Sequence, residues 1–166
     1  MKKSGSNRSN QLVVRRYEGR DREAVIELNY AVLSAAGVLA DDQPRDAGVQ
    51  DIESDYIDSG GEFLVGECDG RIVAMGGIQK TDNNSAKLRR MRVRPDLQRR
   101  GFGTAILLRL ESRALELGFI RLWLDTNVRL PQALSFYPRH GYSRTHEQKS
   151  SVDTLIYFER VLSLPF

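Results

Sequence analysis

The chain has 166 residues, of which 40% are hydrophobic and 28% charged, and its formal net charge is +3. These values are typical of one globular domain with a single core. No apolar run is long enough for a membrane span or a signal core, so we expect no membrane contact and a cytoplasmic location. One cysteine, Cys68, excludes a disulfide within the chain, and with only two histidines no metal site is predicted.

The chain begins with a segment that is not expected to fold. Residues 1–10 are polar and basic, which predicts a disordered tail before a domain at residues 11–166. Residues 12–16 are predicted to form a strand. The following helix is expected to be capped by Asp21 and to end at Gly37.

The middle and the end of the chain alternate between predicted strands and helices. After a loop comes a short helix at about 49–58, and a longer helix is predicted from Thr104 to Gly118. The predicted strands lie at residues 63–67, 71–79, 86–93, 122–126 and 154–160, with a weaker candidate at 142–147. This alternation predicts an α/β fold with a mixed, mostly antiparallel sheet and one central parallel step.

The most informative segment runs from residue 88 to residue 103. It combines a strand, a turn rich in hydrogen-bond donors and a helix start without bulky side chains, which is the layout of an anion cradle. Gly101 and Gly103 allow a ligand to approach the backbone closely. Neither a P-loop nor a dinucleotide fingerprint fits, because no lysine follows Gly103 and Ile106 occupies the third glycine position.

This segment resembles a known signature. The string from Val93 and Pro95 through Gln98 to Gly101 and Gly103 is similar to the coenzyme A motif of the GNAT superfamily of N-acetyltransferases. A second match has the pattern A-x-x-[FL]-Y-x-x-x-G-[FY], here formed by Ala133, Phe136, Tyr137, Gly141 and Tyr142. The resemblance covers about residues 12–162. It implies a single-domain GNAT-like fold, with six to seven strands, a central splay and about four flanking helices.

The resemblance implies acetyl transfer from acetyl-CoA to a primary amine of a small molecule, peptide or protein, by direct attack on the thioester. Main-chain groups near Met91 and Val93 would pair with the pantetheine arm, and the loop before the helix would cradle the pyrophosphate. The predicted cofactor-binding residues are Met91, Arg92, Val93, Gln98, Arg99, Arg100, Gly101, Phe102, Gly103, Thr104 and Asn127. Helix capping is an equal alternative for Thr104, and a turn role is the stronger one for Asn127.

Tyr137 is the predicted catalytic residue. Its phenol matches the group that protonates the leaving thiolate, although core packing is the usual role of such a tyrosine. Pro138 follows directly and can end or kink the helix, which would shift the hydroxyl. We expect His140 to have a structural role at the end of this helix.

No general base can be identified. Many relatives carry a carboxylate on the fourth strand, where this chain has Lys87, Arg89 and Arg90. Asp125 and Glu67 are acids on predicted strands, and surface ion pairing is the expected role of each. A water chain to solvent is the remaining candidate.

Two other function classes compete with the enzyme. A non-catalytic acyl-CoA sensor would keep the glycine loop without needing Tyr137. A nucleic-acid-binding protein would use the seven basic residues between Lys87 and Arg100, but no aromatic residue interleaves with them for base stacking. Acids between residues 41 and 58 would favour a cationic acceptor, although surface solubility explains them equally well. Many GNAT members form homodimers, and the sequence leaves that question open.

Overall fold

The fold is built on one seven-stranded sheet. The computed structural model describes residues 11–39 and 41–163, so the predicted tail at residues 1–10 lies outside the described residues. The strands are β1 (Val13–Arg16), β2 (Glu62–Cys68), β3 (Arg71–Lys80), β4 (Ser85–Val93), β5 (Arg121–Asn127), β6 (Ser143–Lys149) and β7 (Thr154–Val161). Their order is β1-β2-β3-β4-β5-β7-β6, and β4 with β5 is the one parallel pair. The predicted mixed sheet is confirmed.

Among the described residues, three α-helices cover the two faces of the sheet. They are α1 (Arg22–Ala35), α2 (Phe102–Glu116) and α3 (Pro131–Arg139). The other helical segments are short: a π-helical turn at Glu53–Ile57 and 3-10 turns at Gly19–Asp21 and Pro95–Leu97. Because side chains alternate along a strand, Phe63 and Val65 of β2 pack with α1 while Leu64 packs with α2. The α1 face and the α2–α3 face of the sheet therefore have separate apolar cores.

Helix α1 begins directly after Asp21 as predicted, but the predicted capping bond of Asp21 and the predicted start of the later helix at Thr104 are wrong. The Asp21 side chain makes no capping bond to α1; its carboxylate accepts bonds from Arg15 at 2.7 and 2.8 Å and from the Glu18 N–H. The ion pair with Arg15 and the short 3-10 turn before the helix hold this carboxylate. Helix α2 begins at Phe102, before the predicted Thr104, because Gly101 adopts the left-handed conformation that starts it.

The central splay follows from the short pairing of β4 with β5. Only Ser85, Ala86 and Lys87 of β4 have partners on β5. Strand β5 continues with seven residues paired to β7, so the two central strands separate and the later part of β4 keeps a free edge. We call the opening between them the gap.

A β-bulge shifts the alternation of β4 beside the gap. Between the pairs Met75↔Arg92 and Gly77↔Arg89, β4 advances three residues while β3 advances two, and Arg90 has a φ of +57°. Such an extra residue leaves the ladder and re-aims side chains. As a result, Arg89 and Arg90 are both held on the α1 face, where they bond Gln79 and the Gly48 carbonyl.

Candidate functional site

The gap opens into a cleft of about 960 Å³ that reaches both faces of the sheet. Residues of α1 line one side, and the first turn of α2 and most residues of α3 line the other. Every predicted site residue except Arg100 lines this cleft. Arg100 is exposed and lies at a smaller pocket with Arg94 and Cys68, so the structure separates it from the others.

The loop before α2 is shaped by two residues with left-handed backbone. Arg99 has a φ of +64° and Gly101 a φ of +82°. Gln98 braces the loop, because its side-chain amide donates to the Val93 carbonyl at 3.1 Å. The first intrahelical bond of α2 runs from the Ala105 N–H to the Gly101 carbonyl, so the preceding amides at the helix start have no partner in that helix. These amides have the arrangement that the predicted anion cradle requires.

Gly103 lies in the first turn of α2 and its backbone is helical. A Cβ placed there would lie 3.5 Å from Val93 and 3.6 Å from Phe136, which is ordinary van der Waals contact. The packing of the protein therefore does not require glycine here. Glycine leaves the backbone uncovered at this position, and a ligand that touches the backbone would need that.

Thr104 connects α2 to α3. Its hydroxyl lies 3.0 Å from Nε2 of His140, whose Nδ1 lies 2.8 Å from the Phe136 carbonyl. Since a carbonyl can only accept, Nδ1 carries a proton, and Nε2 of a neutral ring accepts from the hydroxyl. Thr104 is therefore not a helix cap, and His140 has the structural role expected of it. The bridge fixes the helix that carries Tyr137 against the cradle.

Tyr137 lies in α3 with its ring packed in the core and its side chain at the cleft. The ring makes edge contacts with Phe136 and Tyr142, at centroid distances of 5.1 and 5.6 Å. Among the described residues no hydrogen-bond partner is found for the hydroxyl, although the residue is only 6% exposed. Helix α3 continues through Pro138 to Arg139, so the proline does not end the helix at Tyr137.

Electrostatics keep the Tyr137 phenol protonated. Burial raises the pKa of Tyr137 well above its usual value, and the positive charge of Arg92 offsets only part of this increase. A phenol that keeps its proton at neutral pH can donate a hydrogen bond or the proton to negative charge that forms beside it, and its raised pKa makes it a weaker acid than tyrosine in water. This is the protonation state that a general acid requires.

Three polar residues on strands make contacts with nearby groups: Asn127 and Asp125 on β5, and Glu67 on β2. The Asn127 side-chain oxygen accepts the Arg129 N–H at 2.9 Å, so this residue forms the turn that the sequence favoured. Asp125 pairs with Lys87 at 2.6 Å, and its predicted ion pair is confirmed. Glu67 likewise pairs with Arg15, at 3.3 Å.

Sequence reasoning missed one buried polar residue that bonds to a residue lining the cleft. Asn29 is 2% exposed on α1, and its side-chain oxygen accepts a bond from Arg92 Nε at 3.1 Å. A polar residue among the buried Val25, Ile26 and Leu28 is the signal that was available. The partner on β4 was not evident from the sequence.

The cradle, the gap and the phenol occur together in one known family. The model of the acetyltransferase (GNAT) family matches residues 28–142, more than half of the chain. The chain belongs to this family. An uncharacterized N-acetyltransferase of Escherichia coli (strain K12), YjgM, is 26% identical over 135 residues, which are 78% of this chain and 81% of that protein.

Solved structures show the same fold. A GNAT-family acetyltransferase from Staphylococcus aureus Mu50 superposes with a TM-score of 0.82 at 22% identity, over 92% of this chain and 100% of that one. The yncA acetyltransferase of Salmonella typhimurium, solved with acetyl-CoA, gives a TM-score of 0.76 at 19% identity, over 93% and 95%. The predicted family, fold and acetyltransferase class are confirmed.

None of the helices at residues 11–39 and 41–163 is both long and apolar enough to cross a membrane. Within the same residues, no group of three or more His, Cys, Asp and Glu side chains is arranged to hold a metal ion.

Proposed function

We propose that this GNAT acetyltransferase is an N-acetyltransferase that acetylates a primary amine of its acceptor by direct attack on the thioester of acetyl-CoA, with Tyr137 as the general acid. The observation that carries the proposal is the Tyr137 hydroxyl. The Tyr137 side chain lines the cleft together with the glycine cradle and the free edge of β4, and its hydroxyl has no hydrogen-bond partner among the described residues. A donor without a protein partner at a cleft is available to a bound ligand.

The residues on the α2–α3 face fit acetyl-CoA. The free edge of β4 offers main-chain groups at Met91 and Val93 to an extended pantetheine arm, as a partner strand would use them. The amides from Arg99 to Thr104 would hold the pyrophosphate, since a helix start favours negative charge. The absence of a side chain at Gly103 leaves the backbone at the helix start uncovered for that contact.

Acetyl-CoA supplies an activated acetyl group. In the transfer, the amine nitrogen forms a bond to the acetyl carbon and the carbon–sulfur bond breaks. Tyr137 gives its proton to the sulfur and regains one from solvent, while the nitrogen loses its proton to water in the open cleft. Asp125 is the one carboxylate among the described residues that line the cleft, and it is engaged by Lys87, so this proposal assigns it no role as a base.

Thermal unfolding with and without acetyl-CoA tests the donor site. A ligand that binds only the folded state stabilises it by about 2.7 kcal/mol at a hundredfold excess over its dissociation constant. We expect a clear upward shift in the wild type that is lost in Gly103→Trp. The control is Leu108→Trp, because Leu108 is 51% exposed on the same helix and is not among the residues lining the cleft.

Thiol release from acetyl-CoA in the presence of a panel of amines tests the reaction. Release with at least one amine, together with an acetylated amine product, supports the proposal. Acetyl-CoA binding without release for any amine would favour the non-catalytic sensor. No stabilisation by acetyl-CoA, combined with salt-dependent binding to a polynucleotide, would favour the nucleic-acid alternative.

A further inference from the structure

The α1 side of the cleft carries three arginines that no carboxylate neutralises. They are Arg89, Arg90 and Arg92 of β4, and none forms an ion pair with an acid among the described residues. The one acidic side chain that lines the described cleft, Asp125, is paired with Lys87 instead. This side of the cleft therefore has a strong positive charge.

Neutral oxygens orient these guanidinium groups. Arg92 Nε donates to Asn29 and its Nη1 to the Met91 carbonyl, at 3.1 and 3.0 Å. Arg90 Nε donates to the Gly48 carbonyl at 3.1 Å, and Arg89 Nη1 to the Gln79 side chain at 3.1 Å. Each guanidinium has five N–H donors, so these bonds fix its direction and leave further donors for a ligand.

The positive charge is held at a free-energy cost. Arg92 is half-buried, and desolvation together with the charge of Arg90 lowers the pKa of Arg92 to about 10. The group stays charged at neutral pH, but its charged form is less stable than in water. A bound anion would reverse this cost, because charge-assisted bonds to arginine are strong where water is scarce.

The position of the arginines assigns them to the acceptor and not to the donor. The cradle, Gly103 and Val93 lie toward α2 and α3, whereas Arg92 bonds to Asn29 of α1 on the opposite face. The charge of Arg92 is nevertheless close enough to lower the pKa of Tyr137. An acceptor entering from the α1 side would therefore have its anionic group beside Arg92 and its amine near the reacting centre.

The acids at residues 41–58, which would have favoured a cationic acceptor, do not contribute to this surface. Asp41, Asp42, Asp51, Glu53, Asp55 and Asp58 are all exposed and line no part of the cleft, and Asp46 pairs with Arg22.

From this arrangement we infer that the acceptor is an amine that also carries a carboxylate or phosphate group close to the amino group, and that Arg92, assisted by Arg90, binds that oxyanion. Arginine suits this task because its planar fork matches two oxygens of one group. The inference rests on the proposed function. It specifies the acceptor class of that reaction, whereas the donor site is independent of it.

Matched acceptors test the inference. The panel consists of L-α-amino acids, the α-carboxamide of each, 2-aminoethyl phosphate and spermidine, with thiol release from acetyl-CoA as the readout. We expect turnover of anionic members, with kcat/KM about 10 to 100 times higher than for the matched amides. The carboxylate and phosphate members distinguish the two oxyanions. Equal or faster turnover of amides or spermidine would overturn the inference.

Substitutions at Arg92 test whether this residue causes the preference for acids over amides. In Arg92→Gln the preference for acid over amide should fall to within about threefold, while the KM for acetyl-CoA is unchanged. Arg92→Lys should keep part of the preference, because the charge remains without the fork. Arg109→Gln, an exposed arginine of α2 that lies outside the cleft lining, is the control and should behave as wild type. A preference that persists in Arg92→Gln contradicts the inference.

A binding assay keeps the test independent of catalysis. The CoA-saturated protein is heated with each panel member, and a carboxylate or phosphate compound should raise the melting temperature above that seen with its amide, but not in Arg92→Gln. No difference between acids and amides overturns the acceptor class even if thiol release is absent. Failure of the donor site would instead appear as no stabilisation by CoA itself.

Discussion

Two groups of arginines in this protein have opposite surroundings. Arg16 and Arg113 share the buried carboxylate of Glu62, at 2.8 and 2.9 Å, and Arg160 bonds Glu111 at 3.0 Å. The arginines of β4 at the gap are bonded only to amides and backbone carbonyls. The chain thus neutralises arginines that hold its elements together and leaves unpaired those that face the cleft.

This difference distinguishes the arginines that stabilise the fold from those available to bind a ligand. A buried ion pair contributes to the folded state, and removing one partner leaves an uncompensated charge. An unpaired group at a cleft contributes nothing comparable to stability, and its removal is seen only when a ligand is bound. Stability and turnover should therefore respond to different substitutions.

The largest expected effect belongs to the cleft. Tyr137→Phe removes a hydroxyl that has no partner in the described structure, so the free energy of unfolding should stay within about 0.5 kcal/mol of wild type. Turnover should fall about 10²- to 10⁴-fold, as for loss of a general acid. Steady-state thiol release and chemical denaturation check both statements.

The matched control is Tyr142→Phe, because the Tyr142 hydroxyl donates to Glu111 at 3.0 Å in the core. This variant should lose about 1–2 kcal/mol of stability and keep its turnover. If Tyr137→Phe unfolded the protein and Tyr142→Phe removed activity, the proposed contrast between the two regions would be wrong.

The second largest effect is expected for the ion-paired arginines that share Glu62. Glu62→Gln removes the charge of a side chain that is 3% exposed between two arginines. We expect a loss of about 3 kcal/mol in unfolding free energy, reduced from the upper range because Arg16 is half-exposed. Urea denaturation measures it. Acetyl-CoA binding by the folded fraction should be unchanged, and a loss below about 1 kcal/mol would contradict the assignment.

Alanine at either glycine of the cradle should have a smaller effect on the free energy of unfolding, and the two substitutions should differ in sign. Gly101→Ala should lose roughly 1–2 kcal/mol of stability, because its φ of +82° disfavours a Cβ. Gly103→Ala should lose none and gain at most about 1 kcal/mol, since alanine is the better helix former. Its affinity for acetyl-CoA should nevertheless fall about tenfold or more. Unaltered affinity in Gly103→Ala, measured by calorimetry, would separate Gly103 from the donor site.

The smallest expected effect is a dependence of the free energy of unfolding on pH. Burial raises the pKa of Glu62, but bonds from Arg16, Arg113 and the Phe63 N–H outweigh it and leave the pKa below its ordinary value of 4.5. A lowered pKa means that the unfolded state binds more protons, so stability is present above pH 4.5 and is lost as pH falls through the folded pKa. Denaturation from pH 6 downward should show this loss, and Glu62→Gln should weaken it.

The sequence predicted the strands, the helix and the loop around the gap well, because these elements depend on local structure. The glycines at 101 and 103, the apolar period of α2 and the order of the strands are all readable from neighbouring residues. The predicted splay is seen in the structure as the three-residue pairing of β4 with β5. The roles assigned to Tyr137 and the cradle remain predictions that the variants above test.

The acceptor side was not predictable for a physical reason. Alternation along β4 would place Arg89 and Arg90 on opposite faces, and only the bulge holds both on the α1 face. The contact of Arg92 with Asn29 joins residues 63 positions apart. The predicted capping bond of Asp21 is missing for a similar reason, because its carboxylate is bound by Arg15 of β1, which could not be read as its partner from the sequence pattern.

The alternation of β4 after the bulge has a consequence for how this enzyme can change. Met91 and Val93 pack toward α2, whereas Arg92 between them bonds to α1. On the proposed assignment, adjacent codons specify contacts with different substrates across a single layer of backbone. The proposal then predicts that point mutations at Arg89, Arg90 or Arg92 change the acceptor and leave the surface for the donor intact, so that acceptor choice can drift while the use of acetyl-CoA is preserved.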